Sequence, residues 1–224
     1  MTTGEPMSFD PQVMWNAIPV LAEGLRYTLL IAIVGMGGGF VLGVFAGLAR
    51  ALKWRWLSRI ALIYITIFRG TPLLVQAMFI YFALPLMTGL RFDALSAAIV
   101  ALALNSGAYI AEIVRGAVIS IDTGLFDAGA ALGLKKRQIL RLIVAPIAFH
   151  RMIPPLGNQF IIAIKDTSLF IVIGVSELTR QGQELVATTF RAMEIWLLVA
   201  IFYLILTSIL AWGLQKIERR MRVY

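Results

Sequence analysis

Residues 25–48 read LRYTLLIAIVGMGGGFVLGVFAGL, and the cations Arg50, Lys53, Arg55 and Arg59 follow at once. An apolar run of that length suits an α-helix crossing a hydrocarbon core ~30 Å thick. The basic cluster behind it marks that end as cytoplasmic. Within the run Gly35, Gly39, Gly43 and Gly47 recur at every fourth position, with Gly37 and Gly38 nearby. In lipid such a strip lets a second helix backbone approach closely and gain dispersion contacts; packing inside one subunit is preferred to a dimer face.

Working outward, the same alternation of apolar runs and basic stretches repeats. Residues 60–68 and 73–87 are two short apolar pieces separated by Phe68-Arg69-Gly70-Thr71-Pro72. Thr71 before Pro72 reads as an N-cap with proline at the first helical position. Residues 54–68 are therefore expected to form a helix at, or dipping into, the inner interface, followed by a span over 72–87. Further spans are expected at 95–118, 155–175 and 195–214, with a cytoplasmic loop at 119–152 holding Lys135, Lys136, Arg137, Arg141 and Arg151. The polar stretch 177–191, where Glu177, Glu184 and Glu194 balance Arg180 and Arg191, falls outside. Lys216, Arg219, Arg220 and Arg222 close the chain inside. Five spans with the N-terminus outside and the C-terminus cytoplasmic put all the basic segments on one side.

Composition agrees. Sixty per cent of the 224 residues are hydrophobic and fourteen per cent charged, too few polar groups to cover a water-soluble surface. The expectation is a single all-α transmembrane domain over 1–224 with no room for a separate soluble domain. The net charge of +8 raises nucleic acid as a partner, but the cations lie beside apolar runs as topology signals do, so no nucleic acid is expected. There is no cysteine, which excludes disulfides and thiolate metal sites. The first twenty residues include Glu5 and Asp10 but no Lys or Arg, so the basic region of a cleavable signal peptide is missing and the first run is expected to stay as an anchor.

No phosphate-binding GxxxxGK[ST] and no HExxH occurs, which excludes ATP hydrolysis by this chain and zinc-protease chemistry. The single histidine, His150, falls in the basic loop as a solvated residue. An intramembrane hydrolase lacks a nucleophile and base pair here. A scaffold subunit would need the helices but no pocket, and an ion-coupled carrier would use Glu112 or Asp166 as its proton or sodium site.

The loop carries the sharpest pattern: Asp127-Ala128-Gly129, then Gly133, then Ile143 and Pro146. Asp122 is placed to cap a short helix through Leu132 that Gly133 ends in a left-handed conformation, presenting Leu125, Phe126, Ala128 and Leu132 to a partner groove. This resembles the EAA loop of ABC-importer permeases, with Asp127 for Glu, Gly129 for Ala and Ala145 for Leu. The resemblance extends through Arg69-Gly70-Thr71-Pro72 with Gln76, through Asn105-Ser106-Gly107-Ala108-Tyr109-Ile110-Ala111-Glu112, through Pro155-Leu156-Gly157-Asn158-Gln159 and through Lys165-Asp166-Thr167-Ser168-Leu169. Together these resemble the polar amino-acid permease family over nearly the whole chain, a type I ABC importer permease-like fold. Residues 170–184 and 190–196 are most similar to glutamine permease subunits. The resemblance implies a dimer of identical subunits, with ABC ATPase subunits that hold ATP and Mg and a periplasmic or extracellular substrate-binding protein, in a bacterial inner membrane. No cofactor is then expected on this chain.

Lys165 and Asp166 fall near the middle of the fourth expected span and are expected to face the bundle interior, since each would be costly against lipid. Asn105, Tyr109 and Glu112 share one stripe of the third span by their i, i+4, i+7 spacing. With Ser168 and Leu169 these are the substrate-pocket candidates, Asp166 for the ammonium, and Lys165 is free to reach Glu112. A buried polar network that only fixes helix packing is the competing account.

Overall fold

The computed structural model describes residues 9–221. Asp10 opens helix α1 (Pro11–Ala51) by accepting from the Gln12 amide at 2.9 Å, with Pro11 in the first turn. The helix is longer at both ends than 25–48. Its first turns bury Ala17 and Leu21 against other helices, while the polar Asn16 and Glu23 that broke the hydropathy run stay exposed.

The glycine strip is the seam between α1 and α5 (Ala94–Ile119). A Cβ added at Gly39 would lie 2.9 Å from the Ala103 carbonyl, at Gly43 2.7 Å from the Gly107 carbonyl, and at Gly47 2.5 Å from the Ala111 carbonyl. Only hydrogen at these positions lets the two backbones touch. Gly37, off the strip, has open space. The packing partner is thus within the chain.

Lys53, with φ 55°, turns the chain into α2 (Arg55–Gly70). Ala61 packs with Ala46 and Ala111, and Tyr64 Oη donates to the Leu104 carbonyl at 2.6 Å, so α2 climbs from the C-terminal ends of α1 and α5 toward the middle of α5. There it bends by 106° into residues Leu73–Thr88, formed by α3 (Leu73–Met78), a π-helical turn (Phe79–Ala83) and α4 (Leu84–Thr88). The expectation that Thr71 caps the new helix is corrected. Pro72 occupies the cap position, and the Thr71 hydroxyl bonds back to the Ile67 carbonyl at 2.9 Å. Among the described residues, four helices are long and apolar enough to cross a membrane, or five if the bent pair is one span.

After α5 comes the short α6 (Thr123–Ala131), then a continuous helical run Lys136–Ile173. It comprises α7 (Lys136–Ile139), a π turn (Leu140–Val144), α8 (Ala145–Asp166) and a 3₁₀ segment (Thr167–Ile173). The helix is therefore longer than the expected span at 155–175 and begins well before it. Pro154 and Pro155 lie inside α8, which bundle helices tolerate where neighbouring groups re-satisfy the backbone. His150 sits exposed on this helix rather than in a loop.

The stretch expected as a polar external segment is a helix, α9 (Leu178–Thr189). It seats on Gly24 of α1, whose missing side chain lets the Leu178 backbone approach, and Gly182 lets Val199 of α10 (Ala192–Met221) approach. Glu177 caps it, accepting from the Thr179 and Arg180 amides at 2.9 and 2.7 Å and from Tyr203 Oη at 3.1 Å. Burial pushes the Glu177 carboxyl above its usual range, and these donors oppose the shift. Glu177 is therefore a cap rather than a surface counter-ion, whereas Glu184 and Glu194 do pair with Arg180 and Arg191, at 2.6 and 3.5 Å. Arg222, from the basic tail, lies outside the described residues.

Candidate functional site

The bend between α2 and α3 frees carbonyls that a continuous helix would have satisfied, and at membrane depth no bulk water replaces those bonds. Gln76, four residues past Pro72, supplies them. The two N–H groups of its Nε2 are shared among the Phe68 carbonyl at 2.8 Å, the Thr71 carbonyl at 3.0 Å and Thr71 Oγ1 at 2.8 Å. Its Oε1 accepts from Asn105 Nδ2 at 3.0 Å, and Asn105 also reaches the Phe68 carbonyl at 3.3 Å. Both side chains are buried. Asn105, a pocket candidate, thus braces the bend to α5. Gln76 was visible in the sequence only as part of a motif, because its partners exist only once the chain has bent.

The same bend places Arg69 against α5. Its guanidinium carbon lies 5.3 Å from the Tyr109 ring centre, and its Nη1 is 3.9 Å from Glu112 Oε2. Glu112 is already bound by Arg115, with Nε at 3.0 Å and Nη2 at 2.7 Å from Oε2. Lys165 therefore does not reach Glu112: a residue one turn along the same helix takes the carboxylate first. Of the expected stripe, Tyr109 and Glu112 meet around Arg69. Tyr109 is exposed on the single chain and Glu112 partly so. A guanidinium facing lipid at mid-helix depth would cost ~3 kcal/mol or more, so this face needs water or protein beside it.

Lys165 and Asp166 sit where α8 tightens into its 3₁₀ segment. They do not both face inward. Asp166 is half-buried and Lys165 exposed, because consecutive helical residues project ~100° apart. Neither enters an ion pair among the described residues. The Ser168 hydroxyl is tied to the Lys165 carbonyl at 2.7 Å, and Leu169 packs on the core around Phe170.

At the other end, Asp122 Oδ1 accepts from the Gly124 amide at 2.8 Å, and Gly133 ends α6 with φ +78°. Leu125, Asp127, Ala128 and Leu132 are exposed, Leu132 at 80%. Phe126, expected on that outer face, turns inward to pack with Ile121 and Ile139. Gly129 has to be small, since a Cβ there would lie 2.9 Å from Ile139 and 3.3 Å from Ile143. Pro146 stands exposed in the first turn of α8.

Residues 39–223 match the family model described as the binding-protein-dependent transport system inner membrane component. The chain belongs to this family. It is an ABC importer permease subunit and a multi-pass membrane protein. This permease is 55% identical over 218 residues to the glutamine transport system permease protein GlnP of Escherichia coli K12, covering 97% of this chain and all of that one. It is 34% identical to the arginine transport system permease protein ArtQ of Bacillus subtilis, over 96% of this chain and 99% of that one. Among solved structures, an amino acid ABC transporter crystallised with histidines superposes with a TM-score of 0.90 at 33% identity, over 96% of this chain and all of that one. The ion-coupled carrier considered from sequence has no counterpart among these relatives.

Proposed function

We propose that this permease carries glutamine, or another polar amino acid, inward by alternating access as one half of a homodimeric channel. The identity of more than half over the full length of a glutamine permease carries the substrate choice. Two ATPase subunits hold the ATP and Mg, a binding protein delivers the amino acid from outside, and α6 seats in each ATPase. Its exposed Leu125, Asp127, Ala128 and Leu132, held by the Asp122 cap, by the left-handed Gly133 and by Gly129 packing on Ile139 and Ile143, give a small preformed surface for that docking, with Pro146 exposed nearby at the start of α8. When the ATPases close, α6 moves with them and the helices behind it turn the path from inside to outside.

The membrane is a bacterial inner membrane, with the start of α1 outside and the end of α10 in the cytoplasm, and the spans follow 25–48, 72–87, 95–118, 155–175 and 195–214. The half-buried Asp166, in a helix whose hydrogen-bonding tightens beside it, receives the substrate ammonium. Asn105, Tyr109, Glu112, Lys165, Ser168 and Leu169 line or support the route. Reconstitution with the ATPase and a panel of loaded binding proteins tests the reading: glutamine-loaded protein should raise ATP turnover and uptake most, and stimulation by sugar- or ion-loaded proteins instead would overturn it.

A further inference from the structure

We propose that the Arg69 guanidinium, held over Tyr109 at the apex of the α2–α3 bend, receives the α-carboxylate of the amino acid as it crosses the permease. The inference rests on the amino-acid importer reading above and adds a binding residue to it. Three observations meet at this point. First, Glu112 is satisfied by Arg115 through hydrogen bonds of 2.7, 3.0 and 3.2 Å, so Arg69, at 3.9 Å, is not the group that neutralises it. Arg115 and Arg69 thus bring two cations to one anion, and the cluster has room for a second negative charge.

Second, Arg69 is partly exposed, with 44% of its side chain accessible, and donates no hydrogen bond among the described residues. A planar fork with its donors unspent fits a carboxylate in bidentate fashion. Third, the position is built. The Gln76–Asn105 bonds fix the bend immediately beyond Arg69, and the Tyr109 ring supports one face of the guanidinium. A flexible surface arginine would have neither. The carboxylate is the negative charge that every α-amino acid brings regardless of side chain, so this seat would select the class and leave the choice among amino acids to other residues.

The test is calorimetric titration of the purified permease–ATPase complex, without binding protein, using glutamine and its α-carboxamide derivative. Wild type should prefer glutamine by about tenfold or more, as expected for a hydrogen bond to a charged group. Arg69→Gln should bind glutamine correspondingly weaker and lose that preference, while Arg69→Lys, which keeps the charge without the fork, should keep part of it. An unchanged preference in Arg69→Gln would overturn the proposal, as would wild-type complex that binds no amino acid at all. If Arg69→Gln instead disrupts the dimer with the preference intact in Arg69→Lys at the wild-type level, the carboxylate facing Arg69 belongs to the second permease copy, and the proposal also fails. If wild type binds another amino acid but not glutamine, only the substrate choice falls, and the same comparison is made with that amino acid and its carboxamide.

Discussion

Replacing Gln76 by leucine keeps the side-chain volume nearly constant and deletes every hydrogen bond that the Gln76 amide makes across the α2–α3 bend. The Thr71 carbonyl and Thr71 Oγ1 lose a donor at 3.0 and 2.8 Å, the Phe68 carbonyl keeps only the 3.3 Å contact from Asn105, and Asn105 Nδ2 loses its 3.0 Å acceptor. A buried polar group left unpaired costs ~1–3 kcal/mol, so with partial rescue by relaxation the substitution should destabilise the folded permease by about 2–3 kcal/mol. Asn105→Leu removes the other end of the same contact. The two changes together should therefore cost less than their sum, by about 0.6 kcal/mol and at most about 1.7 kcal/mol, the average and the maximum measured for hydrogen bonds between membrane helices. Reversible unfolding in mixed micelles, titrated with denaturing detergent, measures all four corners of this cycle. Strict additivity, or a Gln76→Leu variant within about 0.5 kcal/mol of wild type, would refute the idea that these amides hold the bend.

Other outcomes follow from the same geometry. Gly43→Ala should lower the melting temperature of the purified protein, at a cost of about 1–3 kcal/mol, because its Cβ meets the Gly107 carbonyl at 2.7 Å and backbone cannot rotate away; Gly37→Ala, with open space, should melt as wild type. Gly133→Val should insert normally yet lose ATPase assembly and uptake, measured by co-purification and vesicle transport, because φ +78° strains a β-branched residue even where there is space. Asp166→Asn should weaken uptake with assembly intact; wild-type uptake by the Asp166→Asn, Lys165→Met pair would show that the carboxylate only balances Lys165. Leu169→Glu should shift uptake toward basic amino acids, read by competition with arginine, and unchanged competition would remove Leu169 from the pocket.

Hydropathy alone reveals a helical membrane protein, because a lipid-facing helix writes its length directly into the sequence as an apolar run and its orientation into the flanking cations. The capped helix α6 was equally legible, since Asp122 and Gly133 act through bonds and torsions within a few residues of themselves. Helix ends were not. The first turns of α1, the start of α8 below Pro154 and the helix α9 depend on burial against distant helices, and hydropathy averaged along the chain carries no record of that. The polar candidates divide on the same line. Residue type marked Asn105, Tyr109, Glu112, Lys165 and Asp166 as unusual for lipid, but partner choice is a matter of distance between helices. The tertiary structure gave Glu112 to Arg115, turned Lys165 outward, spent Asn105 on Gln76 and left Arg69 with its donors open. Sequence determines which groups must find partners in the membrane, because desolvation is a property of the group; only the folded arrangement decides which partner each one reaches.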